Sequence, residues 1–228
     1  MIARFYQGLQ ASLLSYSIPL VVTMHMVGIV GLLSPFQEFF RLLTPFNLAV
    51  SAFLLWLNHA DRSLSFFMFA LTVFTLGFGV EFLGVQYGFI FGEYSYGATL
   101  GPKLFGVPVI IGLNWLLVIY CIAVLTDSLA IHILPKILLG AFLAVLMDAL
   151  IEPVAIRFDF WSWKGGVVPV QNYIGWFIVS MAMLFFFHLY RVKSENRLAL
   201  PYYFVQLFFF LVLASAKSVF SFLGVILY

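Results

Sequence analysis

Residues 64–83 read LSFFMFALTVFTLGFGVEFL, twenty positions in which Glu81 is the only charged side chain. A helix needs about 20 mostly apolar residues to cross the hydrocarbon core of a bilayer. This stretch meets that length and is apolar on every face, which places it in lipid or deep inside a larger bundle. Comparable stretches recur at 12–33, 43–58, 107–126, 133–152, 173–191 and 202–222. The expected fold is therefore all-α, a polytopic membrane helix bundle of about seven transmembrane helices with short loops. Residues 1–228 form one integral membrane domain on this reading.

Composition supports the same class. The chain is 64% hydrophobic, 19% aromatic and only 9% charged, with a mean hydropathy of +1.11. A soluble domain carries about 25% charged residues to face water. The formal charge of +2 is small and scattered, so no nucleic-acid partner is expected. Cys121 stands alone, which excludes a disulfide framework or cysteine metal cluster and reads as an apolar filler. His25, His59, His132 and His188 are far apart in sequence and form no zinc motif, and no phosphate-binding loop or dinucleotide fingerprint is present. Neither a metal nor another cofactor is expected.

Breaks between spans carry the usual punctuation: Ser34-Pro35 after the first, Asn58 to Arg62 after the second, and Pro153, read as the end of the fifth. Two connections are long, 84–106 and 153–172. Arg4, Arg62, Lys136, Arg191, Lys193 and Arg197 fall on one side, and Arg41, Lys103, Arg157 and Lys164 on the other. That bias favours a cytoplasmic N-terminus. The spans holding Glu81 and Asp148 run in the same direction, so Glu81, Asp148, Glu152 and both long connections gather at one end of the bundle.

An acid at the centre of a span costs about 2.5–3.5 kcal/mol to insert, so intramembrane acids are functional candidates by default. Asp148 and Glu152 are four apart and share a helical face. Such a pair suits a proton donor beside a carboxylate that orients water or faces positive charge. The alternatives are a structural acid paired to a neighbouring helix for Glu81 and a solvated rim position for Glu152. Lys217 interrupts the last span and either snorkels to the interface or pairs with an acid. Gly84, Gly88 and Gly92 recur every four residues, a spacing that allows close backbone approach in membranes. Irregular backbone at this depth must line a cavity or be covered by protein. Glu93, Tyr94, Tyr96 and Lys103 from the first connection become candidate lining groups. Trp161, Trp163, Asn172 and Trp176 follow from the second, their tryptophans reading equally well as an interfacial belt.

Taken in order, E-F-L-G at 81–84, F-G-E-Y-S-Y at 91–96, L-G-P at 100–102, Asn114-Trp115, D-x-x-x-E-P at 148–153, W-S-W at 161–163 and P-V-Q-N-Y-I-G-W at 169–176 carry a resemblance. The chain resembles the carotenoid biosynthesis protein family, which includes membrane carotenoid 1,2-hydratases and bisanhydrobacterioruberin hydratases. Glu152 departs from the family pattern, where aspartate is common, and the stretch at Gly165–Pro169 is looser. The resemblance implies a carotenoid substrate taken from the lipid phase, an acyclic end group of lycopene or γ-carotene type, and addition of water to its terminal alkene. It implies Glu81, Asp148 and Glu152 as catalytic groups. Glu93, Tyr94, Tyr96, Lys103, Asn114, Trp115, Trp163, Asn172 and Trp176 are the implied substrate-binding groups. The expected location is the cell (inner) membrane, surrounded by lipid. A carotenoid cyclase sharing the same protonation, and a transporter or proton relay, are the alternatives.

Overall fold

The computed structural model describes residues 2–222, with side chains over 12–216. Helices α1 (Ile2–Leu32), α2 (Gln37–Leu42), α3 (Thr44–Asn58) and α4 (Leu64–Tyr87) are followed by short strands β1 (Tyr94–Tyr96), β2 (Lys103–Leu104) and β3 (Val107–Pro108). Helices α5 (Ile110–Asp127) and α6 (Ile133–Arg157), strand β4 (Trp161–Trp163), and helices α7 (Val170–Leu189) and α8 (Ala199–Phe222) complete the order. Lys217 lies outside the described side chains.

Among the described residues, 6 helices are long and apolar enough to cross a membrane: α1, α4, α5, α6, α7 and α8. Helix α3 has 15 residues, about 22 Å at 1.5 Å per residue, yet it runs the same course. Near its start, Pro45 packs beside Gly101, and Arg41 just upstream sits 3.9 Å from Asp159. At its far end Asn58 donates to Ser17 on α1 at 2.8 Å. The chain is a polytopic α-helical membrane bundle, with six helices of spanning length among the described residues where about seven are expected, because α3 at 15 residues is shorter than the others.

Helix α5 is the axle. It touches α3, α4, α6, α7 and α8, and every residue of Leu117–Val124, Cys121 included, is buried. A helix that is apolar all round needs this enclosure on every side. The outer helices turn large apolar side chains outward instead, among them Phe46, Leu71, Phe142 and Ile178. An apolar surface that extensive faces lipid.

Two expectations change. Pro153 lies inside α6, which continues to Arg157. Proline removes one backbone donor and crowds one carbonyl, but later bonds re-form: Phe158 N–H donates to Val154 O at 3.0 Å. The long connections are also more ordered than loops. Strands β1 and β4 pair antiparallel with Tyr94 opposite Trp163, Ser95 opposite Ser162, and Tyr96 opposite Trp161. The two connections are thus stitched together across the end of the bundle.

Candidate active site

Four helix ends meet beneath the β1–β4 ribbon. Helices α4 and α6 finish there, bringing Glu81, Asp148 and Glu152; α5 and α7 begin there, bringing Asn114, Trp115, Asn172 and Trp176. The last two helices turn their positive N-terminal ends toward the acids, an orientation that favours negative charge. Gly77 lets α5 approach: a Cβ there would sit 2.6 Å from the Cβ of Trp115. Gly88 ends α4 with a left-handed φ of 63°, a conformation glycine adopts without a steric penalty.

The carboxyls are buried, Glu81 at 5% exposure, Glu152 at 2% and Asp148 at 0%. Glu81 Oε1 accepts the Trp115 indole N–H at 2.9 Å. Its Oε2 accepts the Tyr96 hydroxyl at 2.7 Å and the Tyr94 hydroxyl. Glu152 Oε2 accepts the indole N–H groups of Trp163 at 2.8 Å and Trp161 at 3.1 Å. Its Oε1 accepts from Asn172 Nδ2 at 3.2 Å. Each glutamate therefore receives three donors, the arrangement an acceptor-only carboxylate calls for. Burial, then the neighbouring Glu81 charge, pushes the Tyr94 and Tyr96 phenols well above their ordinary range. Both remain hydroxyl donors.

Asp148 differs. Its Oδ2 accepts from Asn172 Nδ2 at 2.7 Å, while Oδ1 is buried without a hydrogen-bond partner among the described residues. Of the three acids, its surroundings compensate a negative charge least. None of the three forms an ion pair among the described residues, although Glu38, Glu93, Asp61 and Asp127 all do. All the compensation at the buried acids comes from neutral donors.

Glu81 and Glu152 line one cavity, with Phe91, Tyr94, Tyr96, Ile111, Asn114, Trp115, Trp161, Trp163, Asn172 and Trp176 forming its walls. It has about 20 Å³ of room for water, enough for about one molecule. Trp115 stacks on Trp176 with centroids 3.9 Å apart, and Tyr94 lies 5.1 Å from Trp163. Asp148 sits behind Asn172, outside the lining. Among the described residues, no group of 3 or more His, Cys, Asp or Glu side chains is placed to hold a metal ion.

Two sequence candidates fall elsewhere. Glu93 is exposed and pairs with Lys164, and Lys103 reaches back to the Tyr96 carbonyl. Neither lines the cavity, because both lie on the outer side of the connections. Phe91 and Ile111 line it and carried no signal beyond being apolar. Gly84 is not a helix-packing glycine: a Cβ there would meet the Tyr94 hydroxyl at 2.6 Å.

Fold and site together define an integral membrane protein that keeps acids, compensated by neutral donors alone, against an aromatic-walled cavity. The chain belongs to the carotenoid biosynthesis protein family, whose model matches residues 36–227. It is similar to the bisanhydrobacterioruberin hydratase of Haloarcula japonica, 32% identical over 135 residues, which cover 55% of this chain and 45% of that protein. The match thus spans less than half of the relative's length. No solved structure matches the chain significantly.

Proposed function

We propose that the protein is a carotenoid hydratase that adds water to the terminal C=C of an acyclic carotenoid end group. The observation that carries this reading is the pair of glutamates, each with three neutral donors and no cation, on the wall of one aromatic cavity. The similarity to a protein named as a hydratase supports it.

Protonation of a trisubstituted terminal alkene at its less substituted carbon leaves a tertiary carbocation. A water molecule attacks that carbon, and loss of one proton from the resulting oxonium gives a tertiary alcohol. One water is consumed, and the acid is restored. The reaction needs a proton, a water and a stabilised cation, so we propose that it proceeds without a cofactor. In this scheme the Asp148–Glu152 pair holds the transferable proton. Asp148 is the acid least able to carry charge, and Glu152 is its neighbour at the cavity wall. Glu81, whose three donors favour its anionic form, faces the cation, takes the proton from the attacking water and hands it back to the Asp148–Glu152 pair, which resets the acid. The faces of Trp115, Trp161, Trp163 and Trp176 add cation–π attraction, worth about 2 kcal/mol or more when desolvated. Asn114 and Asn172 orient the water. A cyclase would quench the same cation with an internal double bond. The polar groups at this cavity, with room for a water, favour hydration.

The apolar outer surface fits a substrate that arrives from lipid, and the cell (inner) membrane is the proposed location. Expression in a lycopene-accumulating bacterium tests the reading: hydrated pigments gain the mass of one water per reacted end. Pigments of unchanged mass but altered retention would point to cyclisation, and unchanged pigment would defeat both.

A further inference from the structure

The proposed reaction joins two substrates of opposite polarity, and the fold separates their approaches. Outside the β1–β4 ribbon lies a second hollow of about 470 Å³, lined by Gln86, Tyr87, Glu93, Ser95, Ser162 and Lys164 among others. Its polar lining and the exposed Glu93–Lys164 pair at its rim mark it as a water-facing groove. Two further hollows among the described residues are apolar. One lies among α1, α3 and α8, the other among α3, α4 and α5, and neither shares a residue with the inner cavity.

The outer groove does share residues with it, and they are Tyr94 and Trp163. These are direct cross-strand partners. Their ring centroids are 5.1 Å apart and their planes inclined by 44°. The partition between groove and cavity is therefore one aromatic pair thick. Each ring is tethered by its polar tip to a different carboxylate, Tyr94 to Glu81 and Trp163 to Glu152. On the outer side of the same ribbon Ser95 and Ser162 face each other at 3.4 Å. The strands are 3 residues each, and Gly92 beside β1 has a φ of 105°, so little backbone has to move for the pair to part.

We propose that the groove is the entrance for water, admitted between Tyr94 and Trp163, while the alkene reaches the cavity by another route. This inference rests on the hydratase reading. Tethering the two rings to the two glutamates couples admission to the state of the site. A cation that draws either carboxylate toward itself pulls on the partition through the same hydrogen bond.

The test places a removable plug in the groove. Cys121 is buried, so a cysteine introduced as Ser162→Cys is the accessible thiol for a methanethiosulfonate reagent. The unlabelled variant hydrates lycopene in membranes at the wild-type rate. A bulky benzyl label lowers that rate at least tenfold, a methyl label does not, and dithiothreitol restores the labelled enzyme. Ser95→Cys, on the opposite strand, gives the same pattern and serves if Ser162→Cys folds poorly. A benzyl-labelled enzyme that hydrates at the wild-type rate overturns the portal. So does an equal loss on labelling Val167→Cys, an exposed position outside the groove. Failure of the wild-type protein to hydrate any acyclic carotenoid overturns the hydratase reading itself, a distinct result.

Discussion

The two ends of the bundle bury polar groups by different rules. At the end holding the N-terminal part of α1, Asn58 donates to Ser17 and to Leu54 O, both at 2.8 Å. Asn196 donates to Leu55 O at 2.8 Å and to the Tyr120 hydroxyl at 2.9 Å, and that hydroxyl meets His59 Nδ1 at 2.7 Å. The buried groups there are neutral, and the acids nearby have basic partners: Asp127 with Lys136, Asp61 with Lys193. At the other end the buried groups are carboxyls, and their partners are neutral. A bundle needs polar contacts to pin helices together, and neutral ones suffice. Acids buried without cations contribute nothing to packing that an amide would not, and they leave a negative field in a cavity. One end staples the fold, and the other buries carboxyls with no basic partner among the described residues.

The sharpest way to break this contrast is to remove charge at the acid end while keeping shape. Glu81→Gln and Asp148→Asn each lower hydration by about 10²–10⁴-fold, the usual worth of a positioned acid or base. The folded yield is retained, since an amide replaces a buried carboxyl of nearly the same volume. Pigment mass profiles, normalised to the amount of protein in the membrane, measure the loss. If both variants hydrate at the wild-type rate, the acids are structural and the two ends are alike.

A subtler change keeps all three acids and disturbs only a donor. Gly84→Ala drives a methyl group into the Tyr94 hydroxyl. That shifts the donor from Glu81 and loosens the partition, and the expected loss is about tenfold or more, since misplacement by about 1 Å costs up to about 10²-fold. Gly79, with nothing near its Cβ position, is the control, and Gly79→Ala leaves hydration unchanged.

How much of this was legible beforehand follows from where the information resides. The bundle was readable because lipid imposes a length and an apolar composition on each span. The gathering of Glu81, Asp148 and Glu152 at one end followed from counting crossings. Their donors did not follow from either. Tyr94-Ser-Tyr96 and Trp161-Ser-Trp163 alternate with a period of two, the signature of strands with one face buried. Membrane tryptophans near span ends normally mark an interface, and that rule competes with a ribbon aimed at carboxylates. Glu93 and Lys103 were grouped with the site by proximity along the chain. The strand period turns Tyr94 inward and leaves Glu93 outside, and Lys103 belongs to β2, whose two residues are both exposed. The rule that reads Pro153 as a terminator concerns one hydrogen bond, and the packing of α6 against α7 outweighs it.

At the stapling end the order of effects reverses. Asn196→Ala removes donors to Leu55 O and Tyr120 and leaves buried acceptors unpaired, which costs about 1–3 kcal/mol of stability. Hydration per folded molecule is unchanged. A thermal-stability assay in detergent, run beside the pigment assay, separates the two quantities. A fall in turnover with no change in stability would tie this end to the chemistry and erase the contrast.

The smallest effect is expected at the acid end itself, in an exposed ion pair beside the site. Glu93 and Lys164 lie at the rim of the water-facing groove with side chains 63% and 73% exposed. Pairs so exposed are worth about 0–1 kcal/mol, because water screens the attraction and ordering two long side chains opposes it. The strands they flank are held independently by the ladder and by the Lys164 N–H donated to Glu93 O at 2.9 Å. Glu93→Gln therefore leaves stability within about 1 kcal/mol of the wild type and changes hydration less than twofold. An acid directly adjacent to Tyr94 in sequence would thus be dispensable while Glu81, thirteen positions from Tyr94, would not. Position relative to the ribbon, inside or outside, then decides which carboxyls matter, and a large loss in Glu93→Gln would show that the boundary has been drawn in the wrong place.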